Sequence, residues 1–213
     1  SLFAYRWAGP SDKGYAQFYD NKNGKDEVVG AVGGLTLEDL KHVGSITPVY
    51  TAGLMNSIGF RGLELSFLFV TNGGHYLQTD DYSDGIYTGD FSTGDQVFQA
   101  PDAAVKDRWR KAGDEQHTNI PVLGRSFEYN YTDIKYQSAS WIKLREVVLS
   151  YLFTKRSIPR LPVQDLKVSV QGRNLWKHVA NDAGIDPEAY RLHQGYRTLP
   201  LMPSWSFNLQ VNF

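Results

Sequence analysis

Residues able to do chemistry are few and scattered. The five histidines, His42, His75, His117, His178 and His193, lie far apart, and none falls in the H-x-x-x-H or H-E-x-x-H spacing that sets two imidazoles toward one metal. They read as ordinary loop histidines. No G-x-S-x-G presents a nucleophile, and Gly33-Gly34 and Gly73-Gly74 lack the lysine and helix of a phosphate loop, so they read as turns. The acidic run Thr79-Asp-Asp-Tyr-Ser-Asp-Gly85, with Asp90 and Asp95 beyond it, offers oxygens to a calcium ion. Its twelfth position, where an EF-hand needs a bidentate glutamate, is Phe91, and a solvated loop is the simpler reading. Asp186-Pro-Glu188 brings two carboxylates together, yet Asp-Pro also initiates turns. Neither catalysis nor a metal or cofactor is expected.

Ligand contact is better provided for. Tyr76, Tyr82, Tyr87, Phe91, Phe98 and Trp109 fall in one long polar segment, and aromatic rings offer large contact area with a polar edge. They suit stacking on sugar rings or packing against a capping protein. The competing reading is that they fold their own loop.

The elements that must carry these loops are strands. The chain has 213 residues, 41% hydrophobic and 14% aromatic, with 20 Gly, 13 Tyr and 11 Phe, and a net charge of −1. Aromatic, Gly-rich and polar together imply an all-β fold. No apolar run approaches the roughly 20 residues of a membrane helix, since even Leu63 to Val70 contains Glu64 and Ser66. Barrel strands escape that test, because they show lipid an apolar residue only at every second position. The absence of cysteine excludes disulfides and thiolate metal sites, and the lack of a Lys/Arg run gives no footprint for nucleic acid. Ser1 to Trp7 has no signal-peptide pattern, so the chain as written is not expected to direct its own export.

From Ser204 to Phe213, Trp205, Phe207, Leu209, Val211 and Phe213 alternate with polar residues for ten positions, the length that crosses a bilayer at a tilt of about 45°. Asp165 to Asn174 is a second two-faced strand. Ser140 to Phe153 is a third, whose parity breaks over Trp141-Ile-Lys-Leu-Arg145, as a bulge would cause. Tyr50 to Ile58 and Leu63 to Phe69 form a hairpin about Gly59-Phe-Arg-Gly62, and Phe3, Tyr5 and Trp7 supply a further alternating segment. About six antiparallel strands result. Connections near 9–49, 71–138 and 176–203 are long, whereas 59–62 and 154–164 are short. Outer-membrane barrels have this asymmetry, with long loops outside and short periplasmic turns, which would put the C-terminus in the periplasm.

Six strands cannot close a barrel, and open edges in lipid are costly, so further strands must complete it. On this reading Glu146, Lys167, Ser169, Gln171 and Arg173 face the lumen, while Leu149, Tyr151, Val168, Phe207, Leu209 and Val211 face lipid. Trp7, Trp141, Trp176 and Trp205 sit near strand ends as an interfacial girdle.

Seven local motifs in order support a more specific resemblance. Tyr5-Arg-Trp-Ala-Gly9 leads; His42-Val-Gly-Ser-Ile-Thr-Pro-Val-Tyr50 and the hairpin to Phe69 follow. Then come Asp107-Arg-Trp-Arg-Lys-Ala-Gly-Asp114 with Thr118-Asn-Ile-Pro121, and Ser140 to Tyr151. Gln171-Gly-Arg-Asn-Leu-Trp176, Gly184-Ile-Asp-Pro-Glu188 and Pro203 to Phe213 complete the series. The series resembles the C-terminal part of SusC/RagA-type TonB-dependent transporters. That resemblance implies a 22-stranded outer-membrane barrel with an N-terminal plug, importing oligosaccharides or peptides. It implies as partners the rest of the barrel and plug, a SusD-like surface lipoprotein, TonB with ExbB and ExbD, and the barrel assembly machinery, which reads a terminal aromatic such as Phe213. The alternative is a soluble secreted β-sandwich that binds carbohydrate through its aromatic loops.

Overall fold

The structure, a computed structural model, describes residues 1–22, 24–79, 87–88, 97–98, 103–122, 127–190 and 198–213. Among them are fourteen strands, short 3-10 turns and no α-helix, and every sheet whose register is defined is antiparallel. In chain order the strands are β1 Leu2–Ala4, β2 Trp7–Pro10, β3 Ala16–Lys22, β4 Lys25–Val29, β5 Lys41–Gly44, β6 Tyr50–Phe60 and β7 Leu63–Gly73. They continue as β8 Tyr76–Gln78, β9 Tyr87–Thr88, β10 Val97–Phe98, β11 Tyr136–Ser138, β12 Trp141–Thr154, β13 Asp165–Val179 and β14 Ser204–Asn212. The chain divides into two compact units. The first holds 1–46, 76–137 and 192–195; the second holds 47–75, 138–191 and 196–213.

The second unit is built on one five-stranded sheet in the order β14-β13-β12-β7-β6. Its strands run 11, 11, 14, 15 and 9 residues from β6 to β14, each at least as long as a tilted bilayer crossing requires. A two-residue turn joins β6 to β7. Arg61 and Gly62 both have positive φ, 49° and 88°, the backbone that lets a tight hairpin follow the right-handed twist of its strands. β12 and β13 are joined by residues 155–164, where Ser157 Oγ accepts from the Thr154 N–H at 2.8 Å. Both short connections lie at the same end of the sheet, and the Leu152 N–H donates to the Gly62 carbonyl there at 2.8 Å.

The parity break read in the sequence is a bulge. Against β7, Leu144 pairs with Phe69 and Glu146 with Leu68, which leaves Arg145 as an extra residue on β12; against β13, Leu144 pairs with Trp176 and Glu146 with Arg173, which sets Arg145 opposite both Asn174 and Leu175. Asn174 on β13, at φ 54°, lies in the matching irregularity, and its Oδ1 accepts from Arg145 at 3.3 Å. Beyond the bulge Leu144 and Ile142 return to the face shared by Val147 and Leu149.

Five of the six expected strands are thus in one sheet. The first is not among them. Phe3, Tyr5 and Trp7 alternate as a barrel strand would, but the segment breaks into β1 and β2 within the first unit. The Tyr5 N–H donates to the Tyr131 carbonyl at 3.0 Å, and the Trp7 N–H to Asp133 Oδ1 at 3.1 Å. The Trp7 ring meets Tyr129 at 5.0 Å and Phe18 at 6.2 Å between centroids. Trp7 therefore belongs to a local core with Ala4, Phe18 and Tyr129, not to an interfacial girdle. The rest of this unit comprises the β2-β3-β4 sheet and the two-stranded pairs β1-β5, β8-β11 and β9-β10. The described parts of the segments expected as loops thus carry short strands and 3-10 turns of their own.

Candidate functional site

Directly paired residues share a face, so register settles which side chains the sheet of the second unit presents together. On one face β6 gives Leu54, Ile58 and Phe60, β7 gives Leu63, Leu65, Phe67 and Phe69, and β12 gives Val147, Leu149 and Tyr151. β13 adds Leu166, Val168 and Val170, and β14 adds Trp205, Phe207, Leu209 and Val211. Most of these are exposed, Phe207 at 80% and Phe60 at 69%. An apolar surface continuous across five strands exceeds what water-soluble monomers tolerate and marks an interaction face. Trp176 and Trp205 lie on it, and the Trp205 ring fills the space above Gly172.

The opposite face is polar and cross-linked. Glu146 pairs with Arg173, Ser150 with Ser169, and Lys167 with Gln210. Gln171 Nε2 donates to Glu146 Oε2 at 2.7 Å, Ser57 Oγ donates to Glu64 Oε1 at 3.0 Å, and Asn212 Nδ2 donates to Asp165 Oδ1 at 2.6 Å. Glu146, Lys167, Ser169, Gln171 and Arg173 accordingly fall together here, and Leu149, Tyr151, Val168, Phe207, Leu209 and Val211 fall together on the apolar side.

At the bulged end of the polar face the loop after β13 is held down by charge. Lys143, almost fully buried, donates through Nζ to Asp186 Oδ1 at 2.6 Å and Glu188 Oε2 at 2.5 Å. Lys177 Nζ reaches Asp186 Oδ2 at 3.1 Å, and Arg145 pairs with Glu188. Asp186 also caps the 3-10 turn Pro187–Ala189, accepting from the Glu188 N–H, while Asn181 bonds both backbone groups of Ile185 at 2.7 and 2.8 Å. Asp186 and Glu188 are thus structural anchors. Trp141, expected in the interfacial girdle, lies on this polar side with Lys143 4.9 Å and Arg145 5.3 Å from its ring, and is buried. The sequence reading missed Lys143, Arg145 and Lys177; the parity break beside them was the available signal.

Burial pushes the Asp186 carboxyl up, but hydrogen bonds from Lys143 and Lys177 outweigh it and hold the group below its ordinary range. A depressed carboxylate contributes stability that is complete above its unfolded value and is lost as pH falls through the folded one. The 181–190 segment should therefore keep its amide protection from neutral pH down to about pH 4, the ordinary aspartate value, and lose it only on further acidification. Hydrogen exchange against pH checks this; loss of protection between pH 5 and 7 would contradict it.

Of the aromatic candidates, Tyr82 and Phe91 lie outside the described residues, as do residues 80–86, 90 and 95 of the acidic run. Tyr87 and Phe98 are opposite each other in the β9-β10 pair. Tyr76 and Trp109 pack inside the first unit, Tyr76 against Gly44 and Trp109 flat on Gly14. The Asp107 to Pro121 stretch closes on itself. Trp109 Nε1 donates to Glu115 Oε2 at 3.0 Å, Asp114 Oδ2 accepts the Arg110 and Lys111 N–H groups at 3.0 and 3.1 Å, and Thr118 Oγ1 bonds the Asp107 carbonyl at 2.5 Å. Gly14 has φ 78°, and a Cβ there would sit 2.3 Å from the Trp109 ring. Gly14→Ala should destabilise this unit by about 1–3 kcal/mol, measured as a lowered thermal midpoint. An unchanged midpoint would mean that the contact carries nothing.

Four histidines are described. His75 is buried with Nδ1 unpaired and its pKa lowered by burial, His42 lies 5.1 Å from Phe3, His178 stacks on Trp176, and His117 ends a 3-10 turn. No group of three His, Asp or Glu among the described residues could hold a metal. No helix among them is long and apolar enough to cross a membrane, which leaves strand crossing open.

No protein-family model matches the sequence. No curated protein matches it either. Solved structures do. The chain is similar over its whole length to the RagAB peptide importer in the "open-open" state, with a TM-score of 0.72 at 20% identity. It is similar in the same way to the RagAB peptide transporter, at 0.73 and 20%, and to the importer in the "closed-closed" state, at 0.73 and 21%. It spans 22–23% of the length of those chains. At this identity the likeness speaks to the fold, an all-β antiparallel arrangement matching a portion of such a barrel.

Proposed function

We propose that these strands form the C-terminal wall of a large outer-membrane barrel of the SusC/RagA type, which imports oligosaccharides or peptides. One observation carries the reading. Five strands of membrane-crossing length make a single sheet with a continuous exposed apolar face, and among the described residues its two outer strands, β14 and β6, each have a partner on one side only. Hydrocarbon admits such a sheet only where more strands close it. Leu149, Tyr151, Val168, Phe207, Leu209 and Val211 then face lipid, and Glu146, Lys167, Ser169, Gln171 and Arg173 face the lumen. The short-turn end is periplasmic and the long connections extracellular. Phe213 contributes to recognition by the assembly machinery.

In this reading the long connections and their aromatics contribute to the extracellular vestibule, a SusD-like lipoprotein caps it, and TonB with ExbB and ExbD drives it through the plug. The chain has no enzymatic role. A soluble carbohydrate-binding sandwich would bury the apolar face under a second sheet, and an 80% exposed Phe207 weighs against that. The test is to isolate the protein from native outer membranes in mild detergent and identify what stays bound. Co-purification of the remaining barrel strands and a lipoprotein supports the proposal; recovery as a water-soluble monomer overturns it.

A further inference from the structure

Within the first unit a cleft of about 690 Å³ opens between the β2-β3 region, residues 30–33 and the 127–128 turn, within the ~300–1,000 Å³ range of small-ligand sites. Beside buried Phe18, two exposed aromatic rings line it, Tyr15 at 41% and Phe127 at 71% exposure, and Phe127 is propped by Tyr131 at 5.3 Å between centroids. Ser11, Gln17 and Glu128 supply polar side chains. Among the described residues no Lys or Arg lines the cleft, and Glu128 makes no ion pair with any of them. Gly30 and Gly33 complete the wall. Neither has a positive φ, and a Cβ on either would meet nothing within 4 Å, so neither the backbone nor internal packing demands glycine there. Bare backbone with open space beside it suits close approach from outside.

We propose that this cleft binds an organic cation, the side chain of a lysyl or arginyl residue on a peptide, with Glu128 as counter-charge and Phe127 and Tyr15 against the cation's aliphatic stem and head. Charge decides between the candidate ligands. A neutral pyranoside would use the rings equally well but leave the lone carboxylate uncompensated, whereas a cation gains both the ion pair and the ring faces. The proposal concerns the cleft alone and is independent of whether the sheet of the second unit spans a membrane.

The experiment is calorimetric titration of the intact native protein with the blocked tripeptides Ala-Lys-Ala and Ala-Gln-Ala, and with maltotriose. Ala-Lys-Ala should bind, weaken as salt is raised, and bind about tenfold less well to Glu128→Gln, the loss expected for a charged hydrogen bond. Phe127→Ala should cost about threefold, and Phe127→Tyr should restore it. Glu128→Gln is isosteric, so retained Ala-Gln-Ala behaviour and an unchanged thermal midpoint separate lost charge from lost fold. Equal binding of the lysyl and glutaminyl peptides, preference for maltotriose, no binding at all, or indifference to Glu128→Gln would each overturn the assignment.

Discussion

Phe207→Lys is expected to lower recovery of the folded protein from the membrane fraction sharply, whereas Ser169→Lys should leave it intact. Phe207 stands near the middle of β14, paired with Val170 and 80% exposed, so it fills no internal cavity and its loss alone removes little packing. If the apolar face met water, lysine there would change stability by no more than about 0.5 kcal/mol, as at most surface sites. Against lipid a lysine near the bilayer midplane costs about 2–4 kcal/mol. Ser169 occupies the next register row on the other face, opposite Asn208 and Ser150, where another amine joins existing polar groups. Urea titration of the vesicle-inserted protein, followed by heat-modifiable mobility, separates the cases. Equal midpoints for the two variants would mean that the face assignment is wrong.

Lys143→Met is the second large effect. Lysine removal strips Asp186 and Glu188 of their shared donor while Asp186 remains buried, with Lys177 as its remaining basic partner. Removing one partner of a buried pair costs about 3–5 kcal/mol, because the other charge stays behind in a poor dielectric. The 181–190 segment should become protease-sensitive while the long strands remain protected. The double variant Lys143→Met with Asp186→Asn should recover much of the loss, since no lone charge is left. Full protection in the single variant would show that Arg145 and Lys177 suffice.

The two expectations differ in how far the sequence foretold them. The grouping of Phe207 with its row was legible because alternation with period 2 is local: one strand carries its own two faces, and pairing with β13 sets the same residues side by side. The bulge at Arg145 was legible for the same reason, as a lapse in alternation. Lys143 was not, because its partner Asp186 lies 43 residues on and nothing near Lys143 encodes burial. The first segment misled in the opposite way. Phe3, Tyr5 and Trp7 alternate correctly, but Asp133, 126 residues from Trp7, captures that backbone for a local core. Trp141 failed similarly: proximity to a strand end was visible, whereas Arg145 reaches its ring through the bulge and joins Lys143, two residues along the same face.

The placement of the two short turns has a kinetic consequence. β6 with β7, and β12 with β13, are each closed by a short connection, while the β7-β12 pairing must bring together chain separated by residues 74–140. Closure entropy rises with the logarithm of loop length, and hairpins form in microseconds. The sheet therefore assembles as two preformed ribbons whose union is the slow event. Substitutions in the turns at Gly62 or Ser157 should slow an early phase, and those along the β7-β12 seam, such as Leu65 or Leu149, a later one.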